Sequence, residues 1–230
     1  MSLFSLLVAA VAPGVALLSY FYLKDRYDPE PISHVLRLFI FGVLLVFPVM
    51  VLQWALLQGL GSHPLVFSFV TSALPEEFFK WFIVYFLIFQ HSTFDEPYDG
   101  IVYAVAVSLG FATMENVLYA LLSPMDFSQL LQRAFLPVSG HAMFGVMMGY
   151  HFGSAKFVRG KYRKHLALAL LLPLFWHGVF DYTLTVSGGN WIWFMLPLMS
   201  FLWLRSMWKV RRANESSSLR LLTREERIKA

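Results

Sequence analysis

The 230-residue sequence contains no cysteine, and charged residues make up only 14% of it. Without cysteine there is no disulfide, no thiol nucleophile and no thiolate ligand for a metal. A soluble domain carries roughly 25% charged residues. The scarcity of charge, together with 58% hydrophobic residues, therefore excludes an ordinary water-soluble enzyme. Aromatic residues are abundant instead, at 17%, and suit lipid-facing and interfacial surfaces.

Long apolar segments fill most of the chain. A transmembrane helix takes about 20 residues, and on that basis we predict about seven spans. The sequence thus indicates an all-α, polytopic integral membrane protein. Its transmembrane domain is expected over residues 1–208 and a basic tail over residues 209–230. The predicted spans are residues 3–23, 35–59, 65–90, 100–122, 136–155, 166–186 and 190–208.

The basic residues are distributed unevenly between the two ends of the predicted bundle. Of the 18 Lys and Arg residues, 16 fall near the loop after the first span, in the loop after the fifth, or in the tail. Lys and Arg concentrate on the cytoplasmic side of membrane proteins. We therefore predict an outside N-terminus and a cytoplasmic C-terminus, with Arg133 on the outer side. The net charge of +4 then reflects topology, and we expect no nucleic-acid partner.

Seven acidic, basic or histidine side chains fall inside the predicted spans, away from the span ends. Each charge at the bilayer centre costs about 2.5–3.5 kcal/mol, so these groups are expected to face one another or a wet cavity. The topology places all of them between the midplane and the outer face, which predicts one shared site. They are Glu76, Glu77 and Lys80 in the third span, Glu115 in the fourth, His141 in the fifth, and His177 and Asp181 in the sixth.

The third span has an unusual start. Pro75 suits the first turn of a helix, and the carboxylates of Glu76 and Glu77 are favourable at the positive end of the helix dipole. We therefore expect a helix to begin near Pro75, after a non-helical or re-entrant piece over residues 63–71. Both glutamates lie one turn from Lys80, whose ammonium can neutralise one of them.

Two glutamates, two histidines and an aspartate in one water-accessible site favour hydrolysis. A partly desolvated glutamate can take a proton from water, and histidines can donate to an oxyanion or bind a metal. The motifs H-E-x-x-H and G-x-G-D of other membrane proteases are absent, and no G-x-S-G surrounds Ser139. Two other functions fit the same residues, namely a proton- or ion-coupled transporter and a non-catalytic membrane scaffold.

Four spaced motifs resemble those of the PrsW family, whose superfamily contains the type II CAAX prenyl endopeptidases. The stretches 12–25 and 98–103 are also similar to Bacillus-type members, so the resemblance covers nearly the whole chain. In chain order the motifs are Glu76-Glu77-x-x-Lys80, Phe111-x-x-x-Glu115-Asn116, Leu136-Pro137-Val138-Ser139-Gly140-His141 and His177-x-x-x-Asp181.

The resemblance implies a multi-pass protease of the bacterial plasma membrane. Its substrate would be a single-span anti-sigma factor, cut first at site 1, on the extracytoplasmic side, during the regulated intramembrane proteolysis of a stress response. Glu76 would activate water with help from Glu77, and His141 and His177 would polarise the carbonyl or stabilise the oxyanion. The supporting residues would be Lys80, Glu115, Asn116 and Asp181.

The second and last motifs depart from those of the CAAX relatives, which have histidine and asparagine where this chain has Glu115 and Asp181. An ionised Glu115 would repel an oxyanion, so it must be protonated, pair with a histidine or bind a metal. We favour a metal-free glutamate mechanism without a cofactor. The alternative is a zinc metalloprotease, with candidate ligands Glu76, Glu115, His141 and His177.

Overall fold

The computed structural model describes residues 3–122 and 127–217. These residues form helices and short connections, without a β-strand among them, as the sequence predicts. A π-helical segment, Phe67–Ala73, joins α3 to α4, and a second, Ala134–Val138, joins α6 to α7. The α-helices are α1 (Leu3–Tyr22), α2 (Ile32–Leu60), α3 (Pro64–Val66), α4 (Leu74–Leu87), α5 (Asp99–Leu122), α6 (Phe127–Arg133), α7 (Ser139–Phe157), α8 (Tyr162–Val186) and α9 (Trp191–Glu215).

Each predicted span coincides with a helix or with consecutive helical segments. The third span is the run of α3, the first π-helical segment and α4. The expectation of a non-helical piece over residues 63–71 is therefore wrong, because the chain becomes helical at Pro64 and stays helical through Ala73. Proline is tolerated at a first helical position, and here it is Pro64 that occupies the start of the run.

Four of the described helices, α1, α2, α5 and α8, are long and apolar enough to cross a membrane. The other three predicted spans contain α4, α7 and α9. In α4 the two glutamates and a lysine interrupt the apolar sequence, and in α9 the basic residues do so at its C-terminal end. The molecule is an all-α, polytopic membrane protein.

Helix α5 is the centre of the bundle and packs against α1, α2 and α7. Glycines permit these crossings. A Cβ atom on Gly149 of α7 would overlap the main chain of Gly100 in α5, and one on Gly110 would overlap the main chain of Phe39 in α2. Small residues let helix backbones approach closely in membranes. The crossings fix α5, and with it Glu115, between the neighbouring helices.

The last helix extends beyond the predicted end of the transmembrane domain. Helix α9 continues to Glu215, so the first residues of the predicted tail, 209–215, are helical. Lys209 is buried there, with its Nζ 3.0 Å from Nε2 of His151 and above the ring of Tyr150. The rest of that tail, residues 218–230, lies outside the described residues. The boundary at residue 208 stays a prediction.

Candidate active site

The structure brings the predicted ionisable residues together at one end of the bundle. They come from the N-terminal turns of α4 and α7 and from the C-terminal halves of α5 and α8. These helix ends meet because α4 and α7 run in the opposite direction to α5 and α8. The convergence expected from topology is therefore present in the fold.

Lys80 lies at the centre of this site and is fully buried. Its Nζ is 2.8 Å from Oε1 of Glu77, 3.4 Å from Oε2 of Glu76 and 3.0 Å from Nδ1 of His141. It also lies 4.4 Å from the centroid of the Phe111 ring. An ammonium group has donors only. Lys80 therefore neutralises both glutamates in part and donates to His141.

The hydrogen bond from Lys80 orients the first histidine. Because Nδ1 of His141 accepts that bond, the ring hydrogen of the neutral imidazole is on Nε2. This Nε2 lies 3.4 Å from Oε2 of Glu115 and 3.9 Å from Oε2 of Glu76. His141 is thus a hydrogen-bond donor toward the interior of the site. Of the alternatives open for Glu115, the structure shows a pairing with a histidine.

The second histidine is oriented by a carboxylate. Nδ1 of His177 lies 3.0 Å from Oε1 of Glu77, and because a carboxylate accepts only, Nδ1 donates. Nε2 of His177 faces Oδ2 of Asp181 at 3.5 Å and Oε2 of Glu76 at 4.0 Å. The ring stacks on Phe144, with 4.9 Å between centroids. Glu77 therefore fixes the histidine that faces Glu76.

A cavity of about 230 Å³ opens onto these groups. Glu76, His141 and His177 are among its lining residues, with Glu115, Asp181 and Arg133. Glu77 and Lys80 are fully buried and lie behind this wall. The two neighbouring glutamates thus have different positions, since Glu76 faces the cavity and Glu77 holds Lys80 and His177 in place.

Sequence reasoning missed two neutral residues of the site. Nε2 of Gln53, in α2, donates to Oε1 of Glu76 at 3.0 Å. The hydroxyl of Ser72, in the π-helical segment, donates to Oδ2 of Asp181 at 2.6 Å. Neutral side chains at membrane depth give only a weak signal. The amide that follows the long apolar run of the second span was the one available clue to Gln53.

Arg133 is a third missed residue, because the sequence places it in an outer loop. Its Nη2 lies 3.8 Å from Oε1 of Glu115, and its Nε donates to Oδ1 of Asn116 at 2.9 Å. Asn116 in turn donates to the carbonyl of Ala10 at 2.9 Å. Asn116 therefore ties α1, α5 and α6 together, and Arg133 offsets the charge of Glu115.

The donor set is of the kind that zinc prefers. One ligand atom from each of Glu76, Glu77, His141 and His177 can be chosen so that all lie within 4.8 Å of one another. However, ligation through Nε2 of His141 would put a hydrogen on its Nδ1, facing the ammonium of Lys80. Ligation through Nδ1 would displace Lys80. The four-residue set therefore does not fit a metal ion while Lys80 is charged.

Comparison with known proteins gives a result that agrees with the resemblance of the sequence motifs. Residues 30–204 match the family described as PrsW family intramembrane metalloprotease. The chain is 53% identical to Protease PrsW of Geobacillus kaustophilus, over 92% of this chain and 93% of that protein. It is 46% identical to Protease PrsW of Bacillus subtilis, over 95% of this chain and 100% of that protein. No solved structure matches.

Proposed function

Because the chain belongs to the PrsW family of intramembrane proteases, we propose that it hydrolyses a peptide bond with water activated by Glu76. The observation that supports this most directly is the position of Glu76 in the cavity wall. Its Oε2 lies between Nε2 of His141, at 3.9 Å, and Nε2 of His177, at 4.0 Å. These separations leave room for a reacting group between the three side chains.

The proposed reaction begins with a water molecule hydrogen-bonded to Glu76 and His177. Glu76 takes a proton from this water as the water oxygen attacks the carbonyl carbon of the scissile peptide bond. The Nε2–H of His141 donates to the oxygen that becomes negative. The carbon–nitrogen bond then breaks, and the proton held by Glu76 passes to the leaving nitrogen. Lys80 and Glu77 keep the two histidines in their opposite hydrogen-bonding roles.

We propose no metal in this reaction, and the support is the ammonium of Lys80. It already supplies a positive charge beside both glutamates and occupies the Nδ1 lone pair of His141. A metalloprotease, the class named in the family's description, would use a metal ion such as zinc to lower the pKa of its bound water. That enzyme would require Lys80 to be neutral or displaced.

The proposed substrate is a membrane-spanning anti-sigma factor, cut first at its extracytoplasmic end in a bacterial plasma membrane. The motif resemblance supports this class of substrate. The position of the site supports the side of cutting, because it lies at the bundle end away from the loops rich in Lys and Arg. The positive-inside rule assigns that end to the outside.

Cleavage of a single-span reporter protein in cells tests the proposal. Glu76→Gln, Glu77→Gln and His177→Ala are each expected to lower cleavage about a hundredfold or more while the protein accumulates normally. Glu215→Gln, the same change at an exposed position on α9, should leave cleavage unchanged. Full activity in both Gln variants of the site would overturn the proposal. Proton flux without cleavage would instead favour a transporter. If the wild-type protein binds the substrate without cleaving it, and the variants bind it equally well, a scaffold would be favoured.

A further inference from the structure

The side chains proposed to hold the water, Glu76 and His177, are supported from two directions. The fully buried residues behind the cavity wall hold both of them through ionic hydrogen bonds. Neutral donors from two other elements act on the opposite side, namely the amide of Gln53 in α2 and the hydroxyl of Ser72 in the π-helical segment. This second kind of support carries no charge, so charge balance does not explain it.

Gln53 gives the two oxygens of Glu76 different surroundings. Its Nε2 donates to Oε1 of Glu76 at 3.0 Å and to the main-chain oxygen of Ser72 at 3.5 Å. An amide nitrogen carries two hydrogens and can serve both acceptors. With Oε1 engaged by α2, the oxygen that faces His141 and His177 is Oε2. Gln53 therefore fixes the rotation of the carboxylate that takes the proton.

Ser72 engages a carboxylate that lies close enough to compete for the water. Oδ2 of Asp181 lies 3.5 Å from Nε2 of His177, and Oε2 of Glu76 lies 4.0 Å from the same nitrogen. A water molecule has two hydrogens, so it can donate to only two of these three acceptors at once. The Ser72 hydroxyl donates to Oδ2 of Asp181 at 2.6 Å. Because Asp181 has this donor, the water is left to Glu76 and His177.

Both contacts of Ser72 originate in the π-helical segment Phe67–Ala73. Its main-chain oxygen meets Gln53 of α2 and its hydroxyl meets Asp181 of α8, so this one residue links two helices across the site. Segments of this kind are rare and frequently occur at functional sites. Ser68, in the same segment, is also buried, but its hydroxyl has no hydrogen-bond partner among the described residues. The segment thus contains one hydroxyl that contacts the site and one that does not.

We infer that Gln53 and Ser72 are positioning residues for the hydrolytic water. Gln53 holds Glu76 so that Oε2 meets the water, and Ser72 keeps Asp181 from accepting the hydrogen that Glu76 takes. Misplacement of a reacting group by about 1 Å can cost about a hundredfold in rate. Loss of either donor should therefore slow the chemical step more than it weakens substrate binding. This inference rests on the proposed proteolytic function and assigns two further residues to it.

The role of Ser72 is tested with purified protein in liposomes and a single-span reporter, with kcat and KM measured separately. Ser72→Ala is expected to lower kcat about tenfold or more and to change KM less than about threefold. Ser72→Thr keeps the hydroxyl and should stay within about threefold of the wild-type kcat. Ser68→Ala, the same change in the same segment, is the matched control and should leave kcat unchanged. Wild-type kcat in Ser72→Ala would overturn the inference.

Gln53 is tested in the same assay. Gln53→Met removes the amide donor at nearly constant side-chain length and is expected to lower kcat about tenfold or more. Gln58→Met, the same change at an exposed position on α2, should leave kcat unchanged. Melting temperatures of all variants are measured in detergent. A merely structural role would lower the melting temperature and leave kcat per folded molecule unchanged, and that result would also overturn the inference.

A double variant tests the role of Ser72 through a gain of activity. If Ser72 acts by engaging the carboxylate of Asp181, an amide at that position removes the competing charge. Ser72→Ala with Asp181→Asn should therefore have a kcat about threefold or more above that of Ser72→Ala alone. No gain would contradict the inference, whereas an active wild type beside an inactive Glu76→Gln would still support the proposed protease. If the wild-type protein cleaves no reporter, the proposed function itself fails.

Discussion

Lys80 is the residue on which the hydrogen bonds of the site depend. It binds Glu77, Glu76 and His141 at once and has no exposed surface. A buried charge is tolerated only with partners, and removal of one partner leaves the other uncompensated. The roles of the two histidines differ for the same reason, since Lys80 determines which nitrogen of His141 carries the hydrogen.

Lys80→Met is expected to abolish cleavage and to lower the free energy of unfolding by about 3–5 kcal/mol, because two buried carboxylates lose their cation. Thermal unfolding in detergent measures the loss of stability. The double variant Lys80→Met with Glu77→Gln should regain part of that stability but no activity. Wild-type stability in the single variant would show that Lys80 is not needed to compensate the glutamates.

A second group of carboxyls lies at the opposite end of the bundle, in the connections outside the spans. Burial and neighbouring carboxylates raise the pKa of Asp25 from 3.8 to about 7, and burial raises the pKa of Glu30 from 4.5 to about 7. Glu30 accepts a hydrogen bond from Tyr103, and Glu96 accepts one from Ser217. This group joins the start of α2 and the end of α9 to the connection before α5.

These carboxyls predict a pH dependence of stability. Between about pH 4 and pH 7 the folded protein holds protons that the unfolded chain has lost, so the free energy of unfolding falls as the pH rises through this range. The melting temperature should therefore be higher at about pH 5 than at about pH 8. Asp25→Asn with Glu30→Gln should reduce that difference, and an unchanged difference would contradict the account.

The sequence predicted the charged residues of the site better than the neutral ones. A charge in a span such as Glu115 or His177 is costly unless it has a function or a partner, so its presence is informative. Ser72 and Gln53 carry no such cost and went unnoticed. Arg133 was noticed only as a loop charge, because its contact with Glu115 depends on how the α6 segment folds over the site.

At the scale of helices, the close crossing of α5 and α7 places His141 beside Glu115. Gly149→Ala is expected to destabilise the protein by about 1–3 kcal/mol, because the new Cβ would overlap the main chain of Gly100. Gly140→Ala is the matched control on the same helix. Its Cβ would meet no atom closer than 3.6 Å. Equal melting temperatures for the two variants would contradict the proposed packing.

The positions of the helices could be predicted from the lengths of the apolar segments, whereas the π-helical segments could not. Both π-helical segments, Phe67–Ala73 and Ala134–Val138, directly precede helices that carry site residues. Apolar residues alone do not distinguish α from π hydrogen bonding, and π segments are rare and often occur at functional sites. The wrong expectation of a non-helical piece before Pro75 arose from this ambiguity.

At the scale of the whole molecule, the orientation in the membrane stays a prediction with a direct test. Because the chain has no cysteine, a single introduced cysteine reports the side of the membrane on which it lies, without labelling of native cysteines. A cysteine at Asp28 or Lys161 should react with an impermeant thiol reagent only after the membrane is opened. A cysteine at Gly189 should react in intact cells. The reverse pattern would place the active site on the cytoplasmic side.

The central claim is that Glu76, with Lys80 as its cation, activates water for intramembrane proteolysis without a metal. The most direct measurement is cleavage of a single-span reporter by purified protein in liposomes after exhaustive chelation, with metal content determined by elemental analysis and Glu76→Gln assayed in parallel. We predict that the metal-free protein keeps its full activity and that Glu76→Gln has none. Activity lost on chelation and restored by zinc, or retained by Glu76→Gln, would contradict the claim.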